Sequence, residues 1–211
     1  MALREIRPDE RQRARDAGLG DLTQANRSRV LALDAMVPIV APTNPVDTIS
    51  PTALAEVLAG RITNWSVLGG ADAPIAVHLP GVRTGLGQAV EDDVMGPVGF
   101  VLADDIVRHD RGADLVAAVG RDPFALGVAS YADIGNARAL SLTGPCGFSL
   151  SASRGTIKTE DYPLTAPMFL YLPARRLPKV ARDFLAFTRG ASAQVMRSEE
   201  HTSELQSLTN L

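Results

Sequence analysis

The spacing of apolar positions along this chain shifts repeatedly between an extended and a helical period, and the shifts mark its elements. Residues 30–41, VLALDAMVPIVA, form a nearly unbroken apolar run that suits a strand buried on both faces. Pro38 lies within it and predicts a bulge or a change of pairing partner, because proline cannot donate to a ladder. A second long apolar strand is predicted over residues 163–172, PLTAPMFLYL, and a shorter one over residues 74–79, PIAVHL. Residues 3–17 are charged and suit a solvated helix after the turn-prone Arg7, Pro8 and Asp9. Ser50 and Pro51 stand where an N-cap and a first helical residue belong, before a short helix closing on Gly60. Residues 113–119, ADLVAAV, are helical, and residues 122–130 read as a turn feeding a buried strand. Residues 137–142 add a further strand, whereas residues 143–159, rich in Gly, Ser and Thr, read as loop. Near the end, Leu177, Val180, Phe184 and Phe187 fall at helical spacing ahead of Gly190, which predicts an amphipathic helix and its cap. Strands alternating with helices define an α/β protein, its two long strands bracketing the middle of the chain like a pair of hinge crossings.

Composition narrows what such a chain does. Its 211 residues, 45% of them hydrophobic, suffice for one large domain or two small lobes. The 21 Lys and Arg against 24 Asp and Glu give a net charge of -3 with no concentrated basic field, which argues against nucleic acid. No apolar run approaches the roughly 18 residues of a membrane span. Cys146 is the sole cysteine, so no intramolecular disulfide forms, and with His78, His109 and His201 it offers no metal-ligand spacing. No cofactor motif is present. Asp92 and Asp93 are neighbours on a helix and do not face each other, so a solvated face is expected of them. His78 reads as a structural or exposed histidine, and Cys146 has no partner that would make it a nucleophile. An enzymatic role finds no nucleophile, acid-base pair or metal cluster to rest on.

The stretch GVRTGLGQAV, residues 81–90, follows the predicted strand PIAVHL and runs into a helix. It admits two readings. One is a turn whose Gly85 and Gly87 allow tight passage into a helix capped by Thr84. The other is an anion loop, in which the free N–H groups and positive dipole end of a helix hold a charged ligand.

The order of segments resembles the phosphate-binding type 2 periplasmic binding proteins that serve ABC transporters. The resemblance rests on the crossing strand followed by Asn44, Pro45 and Val46, on LAGRITNW at residues 58–65, on Gly69 and Gly70 before PIAV, on GRDPFALGVAS at residues 120–130, and on YPLTAPMFLY at residues 162–171. It implies a two-lobed α/β clamp that closes on a ligand by hinge motion. Residues 1–37 and 164–196 would form the first lobe and residues 38–163 the second. The resemblance also implies an opening strand, helices and a signal peptide upstream of Met1, so the first lobe is expected to be incomplete. Location in the periplasm or cell envelope, an ABC permease as partner and a monomeric state follow from the same resemblance.

It further implies site residues. Where the family has a segment like R.DGSGT, Thr84 falls on the Ser, Gly85 on the Gly and Leu86 on the Thr, while Pro80 falls on the Arg and Arg83 stands close enough to substitute. Leu86 has no hydroxyl, which removes a hydrogen bond worth about 1.5–3 kcal/mol to a charged ligand. Arg4 matches the Arg of a segment like ASRPI, whose Ser is replaced by Leu3, and Ala166 stands where relatives often carry Arg. The expected ligand-binding set is therefore Arg83, Thr84, Gly85 and Arg4, toward phosphate or a related small anion. Asn64 and Trp65 are expected to serve packing and turns. The rival expectation is an envelope sensor or interaction module fused to a peptidoglycan-binding domain. Residues 197–207, RSEEHTSELQS, back-translate onto a common short-read sequencing adapter, so residues 197–211 are expected to be a disordered read-through tail without function.

Overall fold

The computed structural model describes residues 4–144 and 146–190. Leu3, the expected tail and the last residues assigned to the first lobe lie outside them.

In chain order the elements are α1 (Pro8–Asp16), β1 (Ser28–Val40), β2 (Thr48–Ile49), α2 (Pro51–Leu58), β3 (Ala76–Pro80), α3 (Gly85–Ala89), β4 (Val107–His109), α4 (Gly112–Arg121), β5 (Ala125–Ser130), β6 (Arg138–Ala139), β7 (Ser141–Thr143), β8 (Ser149–Leu150), α5 (Arg154–Lys158), β9 (Thr165–Tyr171) and α6 (Lys179–Arg189). A π-helical turn, Val90–Met95, continues α3. The main sheet runs β4-β3-β5-β1-β6, with β9 also on β1, and β2, β7 and β8 form a small second sheet. Strands β3, β4 and β5 are mutually parallel, and β1 crosses them antiparallel.

β1 changes partner part-way along. Its first half, up to Ala35, pairs with β9, and from Met36 it pairs with β5. On the edge away from β5 the partner passes from β9, last met through Met36 N on Leu164 O, to β6, first met through Leu140 N on Pro38 O, so a partner change does fall at Pro38 as the sequence predicts, while the irregularity lies between Val30 and Ala32. Pro38 stays in register opposite Val128, and its carbonyl accepts from Leu140 N at 2.8 Å. Within a strand the N and the C=O of a residue point to the same side, so the missing donor faces the end of the two-residue β6, where little ladder is lost.

The core lies on both faces of the main sheet. Met36, Val37, Ile39 and Val40 of β1 pack with Leu126 and Val128 of β5, Leu54 and Leu58 of α2, and Leu115 and Val119 of α4, all nearly inaccessible. The apolar run of β1 is thus explained by burial on two sides. Ser50 caps α2 through Ala53 N at 3.0 Å. Trp65 is fully packed, its indole N–H donating to Phe124 O at 2.8 Å, and Asn64 caps the turn that follows it. Asn44 is buried and bridges Pro123 O and Val46 N, while Arg138 reaches Asn44 O, Val46 O and Asp47.

The segment 143–159, expected as loop, carries β8 and α5. Ser153 and Thr156 form a reciprocal capping box there, a start signal whose second hydroxyl replaces the usual Glu or Gln. The predicted stripe on α6 forms but is not covered by the described residues: Val180, Phe184 and Phe187 are 80%, 51% and 49% exposed. No helix among the described residues is long and apolar enough to cross a membrane.

Candidate functional site

The parallel strands β3, β4 and β5 end side by side, and α3 and α4 begin just beyond them. In an open α/β sheet, the crevice at the carboxyl ends of such strands is where ligands settle. A cavity of about 100 Å³ lies here, lined by Thr84, His109, Asp110, Gly112, Ser130 and Asp133 among others. Its size suits a small ion rather than the larger ligands that fill cavities of about 300 Å³ and more. Two larger concavities, of about 400 and 530 Å³, lie along α4 and beside residues 100–106. Neither touches the glycine stretch, so the smaller cavity, itself largely apolar but bordered by Thr84, His109, Asp110, Ser130 and Asp133, is the better candidate.

The loop between β3 and α3 is held in a closed turn. Thr84 is the N-cap of α3, accepting from Gly87 N at 3.0 Å, and its hydroxyl donates to Gly81 O at 2.8 Å. Gly81 N donates to His109 O at 2.7 Å, and Arg108 donates to Pro80 O at 2.9 Å, so β4 clamps the loop from the side. A Cβ at Gly87 would lie 2.3 Å from Gly81 O, which is why glycine stands there. Gly85, the first residue of α3, is half-buried.

The two arginines occupy different situations. Arg83 is exposed and makes no ion pair among the described residues. Arg4 is 8% exposed and reaches the same helix one turn on, through Gln88: Nε donates to Oε1 at 2.9 Å, and Nη2 also contacts that atom. Its remaining donors go to Glu10, at 2.9 and 2.8 Å, and to Glu5 O at 2.6 Å. All five guanidinium donors are thereby occupied. Arg4 and the Arg7 backbone N–H hold the Glu10 carboxyl down at about 2, against the cost of its burial. Asp92 lies on an exposed face, as expected, and there pairs with Arg7 at 2.6 Å and approaches Arg4 at 3.9 Å.

Sequence reasoning missed three features. His78 is not alone: it stacks on His109 of the neighbouring strand, Nδ1 to Nε2 2.9 Å. Burial, then the proximity of His109, push the His78 imidazole below its usual value. Asp34, 8% exposed, accepts from Ser130 Oγ at 2.6 Å beside the cavity. Gln88, inside the quoted stretch, links it to the N-terminal segment. Each pairing spans 31 residues or more, a separation no local pattern encodes. Among the described residues no group of three or more His, Cys, Asp or Glu could hold a metal, and Cys146 is exposed.

The body is thus a mixed α/β sheet with one long crossing strand and a small cavity where three parallel strands end. The profile of the PBP superfamily domain matches residues 9–191, and the chain belongs to that family, with the type 2 periplasmic binding protein fold. It is 24% identical over 198 residues to Protein SphX of Synechococcus elongatus, an alignment covering 88% of this chain and 57% of that protein. The chain thus spans little more than half the length of this relative. Among solved structures it resembles a putative phosphate ABC transporter substrate-binding protein with bound phosphate from Clostridium perfringens, with a TM-score of 0.79 and 23% identity over 95% of this chain and 76% of that one. An ABC-type phosphate transport receptor from Vibrio cholerae aligns with a TM-score of 0.69 and 21% identity over 95% and 77%.

Proposed function

We propose that the chain is a non-enzymatic solute-binding protein that takes a small oxyanion, phosphate first among them, in the cavity at the ends of β3, β4 and β5. The observation that carries this reading is the closed turn at Thr84 beside that cavity, at the strand ends where ligands of open α/β sheets bind. Family membership and the phosphate named for the relatives of this fold support it. Thr84, the Gly85 N–H and Arg83 contribute from residues 38–163, Thr84 by turning its one hydroxyl hydrogen from Gly81 O to the anion. Arg4 contributes from residues 1–37, which with residues 164–196 make the opposing lobe. The partner change at Ala35 and Met36 is the pivot, and closure requires Arg4 to exchange Glu10 for the anion. The chain works as a monomer in the periplasm or cell envelope and presents its closed form to an ABC permease.

Titration calorimetry with phosphate and sulfate tests the reading. Thr84→Val should weaken phosphate binding about tenfold, as expected for losing a hydrogen bond to a charged ligand worth about 1.5 kcal/mol or more. Thr84→Ser keeps the hydroxyl and should bind like the parent. Absence of binding to any small oxyanion, in a sample that unfolds cooperatively, would sink the proposal.

A further inference from the structure

His78 and His109 come from adjacent parallel strands, and their rings lie 5.2 Å apart between centroids with 25° between planes. With Nδ1 of one 2.9 Å from Nε2 of the other, one nitrogen must carry the hydrogen and the other the lone pair. The neutral pair satisfies this, whereas two imidazolium rings would set donor against donor and charge against charge. His109 also lines the small cavity, whose lining includes Asp110 and Asp133 but no Lys or Arg. Of the residues that line the cavity, His109 is the one able to become cationic, and it carries His78 with it.

The charged surroundings are defined. Asp122, after α4, acts on His78 and favours its protonated form. Asp110 follows His109 just past the end of β4, Arg108 precedes it with its guanidinium on Pro80 O, and Asp133 approaches from the turn after β5. Asp34 stands behind Ser130 on the remaining side. We propose that the His78–His109 pair is the proton-linked cation of the anion cavity, taking up one further proton when an oxyanion binds. The inference rests on the oxyanion reading above and specifies how the cavity obtains positive charge. Burial, then the proximity of His109, hold His78 below its usual value, and an anion in the cavity opposes that balance. Linkage then makes anion affinity rise as pH falls.

The test is imidazole NMR on the whole chain from about pH 5 to about pH 8, with and without saturating inorganic phosphate, the interval in which histidine charge changes. Phosphate should raise the midpoint of the pair by about half a unit or more, equivalent to about a threefold gain in affinity on protonation. Calorimetry on His78→Gln and His109→Gln gives a second readout: the ratio of parent to variant affinity should grow about threefold between pH 8 and pH 6, and the ionisation of phosphate itself cancels in that ratio. Amide shifts at residues 84–86 on adding phosphate, with the histidine midpoint unmoved and the affinity ratio flat, would overturn this inference and leave the oxyanion reading standing. Absence of any shift or heat would overturn both.

Discussion

Replacing Gly87 by alanine tests whether the closed form of the glycine loop defines the site. The added methyl would lie 2.3 Å from Gly81 O, 3.1 Å from Gly81 C and 3.1 Å from Pro80 O. A carbon-to-oxygen contact normally settles at about 3.3 Å, so the loop or α3 must shift by about 1 Å. All three obstructing atoms are backbone, and they are held by Gly81 N on His109 O, by Arg108 on Pro80 O and by Thr84 on Gly81 O, so no rotamer change relieves the clash. Overpacking of this kind costs about 1–3 kcal/mol, and losing one of the loop's hydrogen bonds adds about 1 kcal/mol. Alanine's better helix propensity returns about 1 kcal/mol, leaving a net loss near 2 kcal/mol. For a chain of this length the Tm should fall by about 4–8 °C. Gly120→Ala in α4 is the control, because a methyl there meets nothing within 4 Å and should leave the Tm unchanged or slightly raised. Thermal melts followed by circular dichroism measure both. A Gly87→Ala protein melting within a degree of the parent would show that the loop yields freely, and the argument from its closure would fail.

Two further outcomes follow from buried groups. The Glu10 carboxyl is held at about 2 against an ordinary 4.5, so its contribution to stability is present above about pH 4.5 and is lost as pH falls toward 2. Glu10→Gln should therefore melt lower than the parent at about pH 6, and the gap should shrink to a small part of that by about pH 2; an equal gap at both ends would refute the assignment. The Tyr162 hydroxyl is buried with no partner among the described residues. Tyr162→Phe should thus leave the Tm unchanged or raise it by a few degrees, and a loss above about 1 kcal/mol in urea unfolding would reveal a bond the hydroxyl does make.

How far the sequence speaks depends on the range over which each feature is encoded. Local chemistry carried the elements: Ser50 and Pro51 before α2, the turn feeding the buried strand β5, and the double-sided apolar run of β1 all correspond to the strands and helices described. The capping box at Ser153 was written in the sequence too, but Thr156 in place of an acidic residue, amid Gly and Ser, concealed it. Pro38 marks where β9 gives way to β6 on one edge of β1, as the local rule for proline predicts. Where β5 joins on the other edge, at Met36, is fixed by where β5 ends, more than 90 residues away, and no local rule points to it. At the candidate site, Thr84 as a cap was legible from one residue type in one place. The engagement of Arg4 with Glu10 and Gln88, and the meeting of His78 with His109, depend on strand order and remained out of reach.

The same partner change relates the fold to the site. Asp34 is the last-but-one residue of β1 on the β9 side, and Met36, two residues on, already pairs with Ser130. The hydrogen bond from Ser130 Oγ to Asp34 and the one from Met36 N to Leu164 O therefore join the two halves of β1 at the wall of the cavity. A change in the angle between the β9 and β5 ladders has to pass through these few bonds, whereas β3, β4 and α4 are packed as one block around Leu115, Val119 and Gly127. Packed interiors transmit displacement rather than absorb it. A shift at Ala35 and Met36 would for that reason move Ser130 and the cavity's rim together relative to β9.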